Sequence, residues 1–293
     1  MIFWRIINNK LHSIKKVEQL GFSSDNAFQI PDEYLEKGEF FIMRTCHGFG
    51  DWGVISAMPR LLKEKYPNCK VYLPSEKMLE NVFGNVGDFN KTNWSRPYSN
   101  CYNVFANNPH VDKFVDEWHG EIFHDHYRIY DTNNSEIPLI KQMLKFWQFD
   151  DKEMEDCLPE MYWTQKEKHY GNEIIKSGLE GAPEFGAILL SNGFDEERDG
   201  EKIKNKLKDY PNVKFLNWSF KPLKEFGLEF VNNVFDLRHI DLRIQMYIRS
   251  RAQFNIGNQC GILDTLPRYT DVYVVPKEQN KLKENIIENT IYL

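Results

Sequence analysis

Phe40-Phe41-Ile42-Met43-Arg44-Thr45-Cys46-His47-Gly48-Phe49-Gly50-Asp51 runs directly into Trp52-Gly53-Val54-Ile55-Ser56-Ala57-Met58-Pro59-Arg60-Leu61-Leu62-Lys63. The apolar run ends at Arg44, two glycines and a carboxylate fill the next few positions, and an amphipathic segment follows. That spacing predicts strand, tight turn and helix. In open α/β sheets ligands gather beyond the carboxyl ends of the strands, and glycine lets a backbone approach them closely. Asp51 is therefore expected at the mouth of a crevice, with His47, Gly48 and Gly50 beside it.

Working outward, Tyr66-Pro67-Asn68 breaks the helix and Lys70-Val71-Tyr72-Leu73-Pro74 reads as the next strand, a strand-helix-strand unit of a parallel sheet. From Asn85 to Pro109 the chain is loop-rich, with Tyr102-Asn103-Val104-Phe105 its one strand candidate. Val111 to Val115 and Glu121 to Tyr130 alternate as strands do, and Ile137 to Phe149 has helical spacing. His124 and His126 then share one face of a strand and are expected to contact an acceptor rather than a metal ion. Residues 1 to 38 are expected to form an additional edge or lid.

A polar helix from Lys166 to Ser177 opens a second half with the same rhythm. Its strands are expected at Phe185 to Ser191, Val213 to Leu216, Val234 to Leu237, Gln253 to Ile256 and, last, Val272 to Val275 before Pro276. Helices are expected at Glu201 to Tyr210 and Leu242 to Arg251. Phe254-Asn255-Ile256-Gly257-Asn258-Gln259-Cys260-Gly261-Ile262-Leu263-Asp264 repeats the opening design, a strand ending in a glycine-bearing turn that starts a helix. A helix N-terminus suits a phosphate, and Gly257 and Gly261 let a pyrophosphate come near. Ser191 and Asn192 offer further polar donors, and Trp218 a ring on which a base can stack. The fold class is α/β with two Rossmann-like, doubly wound domains, 1–165 and 166–293, facing a central cleft.

The 293 residues, 41% hydrophobic, suffice for two cores. A net charge of −6 argues against a surface built throughout to grip nucleic acid. The five cysteines are scattered, without a CxxC pair, which fits reduced thiols and a cytoplasmic protein. Met1 to Ile7 is too short for a signal peptide, and no apolar run is long enough to span a bilayer.

Taken together, Arg44, Gly50-Asp51, Pro59, Tyr66-Pro67, Asp236-Leu237-Arg238 and the turn from Phe254 to Asp264 resemble, in order and spacing over roughly residues 40 to 276, the heptosyltransferase-like glycosyltransferases of the GT-B fold. The resemblance implies that Asp51 is the general base that takes the proton of an acceptor hydroxyl. It also implies that the C-terminal half holds a nucleotide sugar through Ser191, Asn192, Trp218, Asp236, Gly257, Asn258, Gln259, Cys260, Gly261 and Asp264, with no metal or resident cofactor. One direct displacement inverts the anomeric carbon. The acceptor implied is a glycan, with a hydroxylated DNA base as the other candidate. The chain departs from the family where Gln259-Cys260 and Asp264 stand in place of the usual Asp-Ser and His, and an acid there weakens anion binding. The alternative is a GT-B-shaped protein that binds a ligand or partner without catalysis.

Overall fold

The computed structural model describes residues 3–7, 10–14, 30, 32–44, 47–83, 98–119, 121–122, 124–125, 139–179, 184–191, 194, 196–219, 223–228, 231, 234–237, 240–276 and 289–293. They form two compact units, Met1–Tyr162 and Trp163–Leu293.

The first unit opens with strands β1 (Phe3–Ile7) and β2 (Lys10–Ile14), a short helix α1 (Asp32–Glu36), strands β3 (Glu39–Phe41) and β4 (Met43–Arg44), and helices α2 (Phe49–Gly53) and α3 (Met58–Lys65). It continues with β5 (Lys70–Pro74), α4 (Glu76–Phe83), α5 (Ser99–Phe105), β6 (Lys113–Val115), β7 (Glu121–Ile122), β8 (His124–Asp125) and α6 (Leu139–Phe146). β1 pairs antiparallel with β2 and with β7, so the N-terminal segment is part of a sheet. β3, β5 and β6 form a parallel sheet in that order, and β4 pairs in parallel with β8.

The strand expected from Phe40 to Arg44 is thus divided between two partners. Its first half runs along β5 and its second along β8, while the Ile42 N–H still donates to the Tyr72 carbonyl at 3.0 Å. Phe40, Phe41, Ile42 and Met43 are all buried, as strands covered on both faces require. Phe40 meets Tyr34, Tyr66 and Trp147 at ring distances of 6.2, 5.2 and 5.4 Å.

The helix expected after Asp51 is likewise two helices with a turn at 54–57 between them. Pro59 has no N–H to give to a preceding carbonyl, so a continuous helix would lose a bond there; placed in the first turn of α3 it costs nothing. Ser56 fixes the turn: its hydroxyl donates to the Gly53 carbonyl at 2.6 Å and accepts the Glu160 N–H at 2.7 Å. The Glu160 carboxylate in turn accepts from Arg60 Nε at 2.9 Å. The strand expected at Tyr102 to Phe105 is helix α5 instead. Cys101, Val104 and Phe105 are buried together at helical spacing, and packing of that face overrides the aromatic and β-branched composition.

In the second unit the order is α7 (Gln165–Leu179), β9 (Phe185–Leu189), α8 (Glu196–Leu207), β10 (Lys214–Asn217), β11 (Val234–Asp236), α9 (Leu242–Ser250), β12 (Phe254–Asn258), β13 (Asp271–Val275) and β14 (Thr290–Tyr292). One-turn 3₁₀ helices stand at Leu223–Phe226 and Leu263–Thr265. The six strands make one sheet in the order β11-β10-β9-β12-β13-β14, every neighbouring pair parallel. Numbered within the unit, that is 3-2-1-4-5-6, the doubly wound order, whose topological switch point falls between β9 and β12. Both of those strands are buried along their whole length. β14 is an edge strand beyond the expected last one.

Helices α7 and α9 approach so closely that a Cβ on Gly171 would lie 2.4 Å from the Tyr247 ring. Thr164 and Glu167 cap α7 reciprocally: the Thr164 N–H donates to Glu167 Oε2 at 2.6 Å, and the Glu167 N–H donates to Thr164 Oγ1 at 3.1 Å. Glu167 also pairs with the guanidinium of Arg243, joining the two helices.

Candidate functional site

In the first unit the site grows from the carboxyl end of β4. Asp51 occupies the first turn of α2, and its Oδ2 accepts the Gly48 N–H at 2.8 Å. The carboxylate therefore folds back over the start of the helix, oriented by the backbone. A Cβ on Gly48 would sit 2.7 Å from that same oxygen, so glycine at this position gives the carboxylate its place. Gly48 is the N-cap residue of α2 and Asp51 stands at N3, so the carboxylate serves as the capping-box acceptor and is held in one orientation.

His47 lies within rings: Phe83 at 4.5 Å, Tyr98 at 5.2 Å and Trp52 at 6.3 Å. Its carbonyl accepts from Asn100 Nδ2 at 2.9 Å, while neither ring nitrogen has a hydrogen-bond partner among the described residues. Burial, and after it the charge of Arg44, hold its pKa down to about 4, so the imidazole is neutral at physiological pH. The parallel register sets His124 beside Met43 and Asp125 beside Arg44, so β8 borders the strand that leads into the Asp51 turn. His126 lies outside the described residues.

In the second unit the two separately expected turns meet. Asn258 ends β12, Ser191 follows β9, and each holds the other: Asn258 Oδ1 accepts the Ser191 N–H at 2.7 Å and Asn258 Nδ2 donates to Ser191 Oγ at 2.7 Å. The clamp sits at the switch point of the sheet, the place where crossovers diverge in sheets of this order. Gly257 belongs to the strand rather than to the turn, and a Cβ there would lie 1.9 Å from the Leu189 carbonyl oxygen. The Gln259 N–H donates to the Val275 carbonyl at 2.8 Å, and Leu190 N–H donates to Ser219 Oγ at 2.8 Å.

Three expectations change in this unit. No α-helix starts after Gly261; the chain makes the 3₁₀ turn Leu263–Thr265 alone. Pro267 has no N–H to extend the turn, so no α-helix, and no helix dipole, follows β12 at this point. Trp218 is wholly buried, and the Arg249 guanidinium lies 4.4 Å from its ring centroid, so a base has no open face to stack on. Asp264 is buried rather than turned outward: its N–H donates to the Cys260 carbonyl at 3.2 Å. Burial pushes the Cys260 thiol up to about 11, which leaves it protonated. Asp236 closes β11 opposite Asn217. Asn192 lies outside the described residues.

Sequence reasoning passed over Arg249. It is fully buried, yet among the described residues no carboxylate pairs with it. Its NH1 donates to Asn255 Oδ1 at 3.2 Å, and its Nε has no partner. Burial lowers its pKa to about 9, the neighbouring Cys260 acting in the opposite direction, so it remains a cation at neutral pH. The legible signal was its spacing: Leu242, Met246 and Arg249 stand on one face of α9.

Among the described residues no helix is long and apolar enough to cross a membrane. No group of three or more His, Cys, Asp and Glu side chains among them gathers as metal ligands do.

No protein-family model matches the sequence, and no curated protein matches it. Solved structures do. A glycosyl transferase family 9 protein from Veillonella parvula aligns over 86% of this chain and 85% of its own, with a TM-score of 0.50 and 11% identity. ADP-heptose lps heptosyltransferase II of E. coli aligns over 86% and 89%, with a TM-score of 0.45 and 12% identity. At such identities the likeness is one of fold: the chain is an α/β protein of the GT-B class with two Rossmann-like domains, as the sequence led us to expect.

Proposed function

We propose that the protein is a glycosyltransferase that takes a nucleotide sugar as donor. The observation that carries this reading is the Ser191–Asn258 clamp at the switch point of a 3-2-1-4-5-6 sheet. In such sheets the switch point is where nucleotides bind, and the clamp fixes a hydroxyl and an amide at that spot. Ser191, Asn258, Gln259 and Gly261 are the donor-side residues of the proposal. Asp51 is its general base: the carboxylate takes the proton of an acceptor hydroxyl as that oxygen attacks the anomeric carbon, and the C–O bond to the diphosphate breaks with the electron pair leaving on phosphate oxygen. The proposed reaction inverts the anomeric carbon and needs no metal, and a glycan hydroxyl is its acceptor.

Thermal-shift screening against UDP-, GDP-, ADP- and CMP-sugars tests the donor assignment, since a ligand that binds only the folded chain raises its melting temperature by mass action. A rise with one of the four supports it; a flat response across the panel refutes it. A second reading, a protein that binds such a ligand without transferring the sugar, is favoured by the buried acid Asp264 and by the missing helix beyond Gly261. Binding without turnover distinguishes it.

A further inference from the structure

A buried cation is expected to carry a buried counter-ion, because taking an isolated charge out of water is strongly unfavourable. Arg249 departs from that rule. Its side chain is fully buried, no described carboxylate pairs with it, and its Nε–H reaches no acceptor. Its known contacts are neutral: Asn255 Oδ1 at 3.2 Å, the Ile188 carbonyl at 3.5 Å and the Trp218 ring face at 4.4 Å. The Trp218 Nε1–H is also buried without an acceptor. Two proton donors, one of them charged, thus stand together with too little negative density around them.

Their location gives this imbalance a purpose. Ile188 lies one residue before the end of β9, and Trp218 follows the end of β10. The guanidinium thus reaches from Asn255, the second residue of β12, to the last residues of β9 and the residue that follows β10, and so lies against two of the strands that frame the switch point and beside the end of a third. A charge in that low-dielectric setting projects its potential to the strand ends with little screening by salt. It also stands in for the helix dipole that the 3₁₀ turn after Gly261 does not provide.

We propose that Arg249 is a positioning residue for the ligand's diphosphate: held over Trp218 against the strands that frame the switch point, it supplies the positive potential by which the second unit selects phosphorylated nucleotides over uncharged nucleosides. The inference rests on the reading of this unit as a nucleotide-sugar site. Its counter-ion is the ligand itself.

The experiment is titration calorimetry of a nucleoside, its monophosphate and its diphosphate, using adenosine, uridine, guanosine and cytidine series, on the full chain and on Arg249→Met and Arg249→Lys. For the wild type, affinity rises at each added phosphate. For Arg249→Met the diphosphate weakens tenfold or more while the nucleoside changes less than twofold, and for Arg249→Lys diphosphate affinity stays within threefold. The melting temperature of unliganded Arg249→Met does not fall, because an apolar side chain replaces an uncompensated buried charge. Equal weakening of nucleoside and diphosphate, an unchanged diphosphate affinity, or a loss in Arg249→Lys as large as in Arg249→Met overturns the proposal. Should Arg249→Met not fold, the wild-type series decides: a diphosphate that binds no tighter than its nucleoside overturns it. If the folded wild type binds no nucleotide of any series, the donor-site reading itself fails and takes this inference with it.

Discussion

Ser191 and Asn258 come from strands that are neighbours in the sheet but 67 residues apart in the chain, and they are joined by two hydrogen bonds of 2.7 Å. The pair locks the two strand ends that define the switch point. Removing one partner has unequal consequences. Ser191→Ala leaves the buried Asn258 Nδ2–H without its acceptor, which costs about 1–3 kcal/mol, whereas Asn258→Ala removes both bonds at once and leaves the Ser191 N–H and hydroxyl without their partner, so it costs more. Chemical denaturation should rank Asn258→Ala as the less stable, and thermal-shift titration should find its response to a bound nucleotide sugar reduced. Equal stability of the two variants would count against the clamp.

Gly257 is the second requirement of that strand pair. With the Leu189 carbonyl 1.9 Å from where a Cβ would be, the strands must separate to admit even alanine. Both are buried central strands, so Gly257→Ala should destabilise the unit by about 1–3 kcal/mol or more, the cost of overpacking a close-packed core. Urea unfolding, or the yield of folded protein, reads this directly.

His47 predicts an acid-side stability slope. Its folded pKa of about 4 lies below the ordinary 6.5, so between those values the unfolded chain binds a proton that the folded one does not. Stability from this group is complete above about pH 6.5 and is lost as pH falls toward 4, by at most about 3 kcal/mol. His47→Phe, which keeps a ring among Phe83, Tyr98 and Trp52, should flatten that part of the pH–stability profile. An unchanged slope would mean that another group is responsible.

At Gly48 function and stability should separate. Its backbone is ordinary, with φ of −63°, so alanine is tolerated there, but the new methyl would displace the Asp51 carboxylate oxygen 2.7 Å away. Gly48→Ala is expected to change unfolding free energy by less than about 1 kcal/mol while lowering kcat for transfer roughly tenfold or more, as misplacement of a reacting group does. A variant with native kcat would show that the carboxylate's position is immaterial.

The second unit was the more legible half in the sequence. Its strands are buried on both faces, so Phe185 to Leu189 and Val272 to Val275 stand out as apolar runs. The turns at Ser191 and Asn258 could be named from their chemistry, but their bonding to each other depends on strand order, which no local pattern encodes. The first unit was harder. Phe40 to Arg44 reads as one strand because nothing local reveals that its partner changes at Ile42, and Val104 and Phe105 suit either strand or helix until Cys101 is seen beside them in the core. Arg249 was missed because a cation near a helix C-terminus ordinarily faces water.

The most direct measurement of the account is release of nucleoside diphosphate or monophosphate from UDP-, GDP-, ADP- and CMP-sugars by the wild type and by Asp51→Asn, followed with and without glycan acceptors. The account predicts turnover of at least one donor by the wild type, and a 10²- to 10⁴-fold lower kcat in a folded Asp51→Asn, about the contribution of a general base. A folded wild type that turns over none of them, or an Asp51→Asn variant as fast as the wild type, would contradict it.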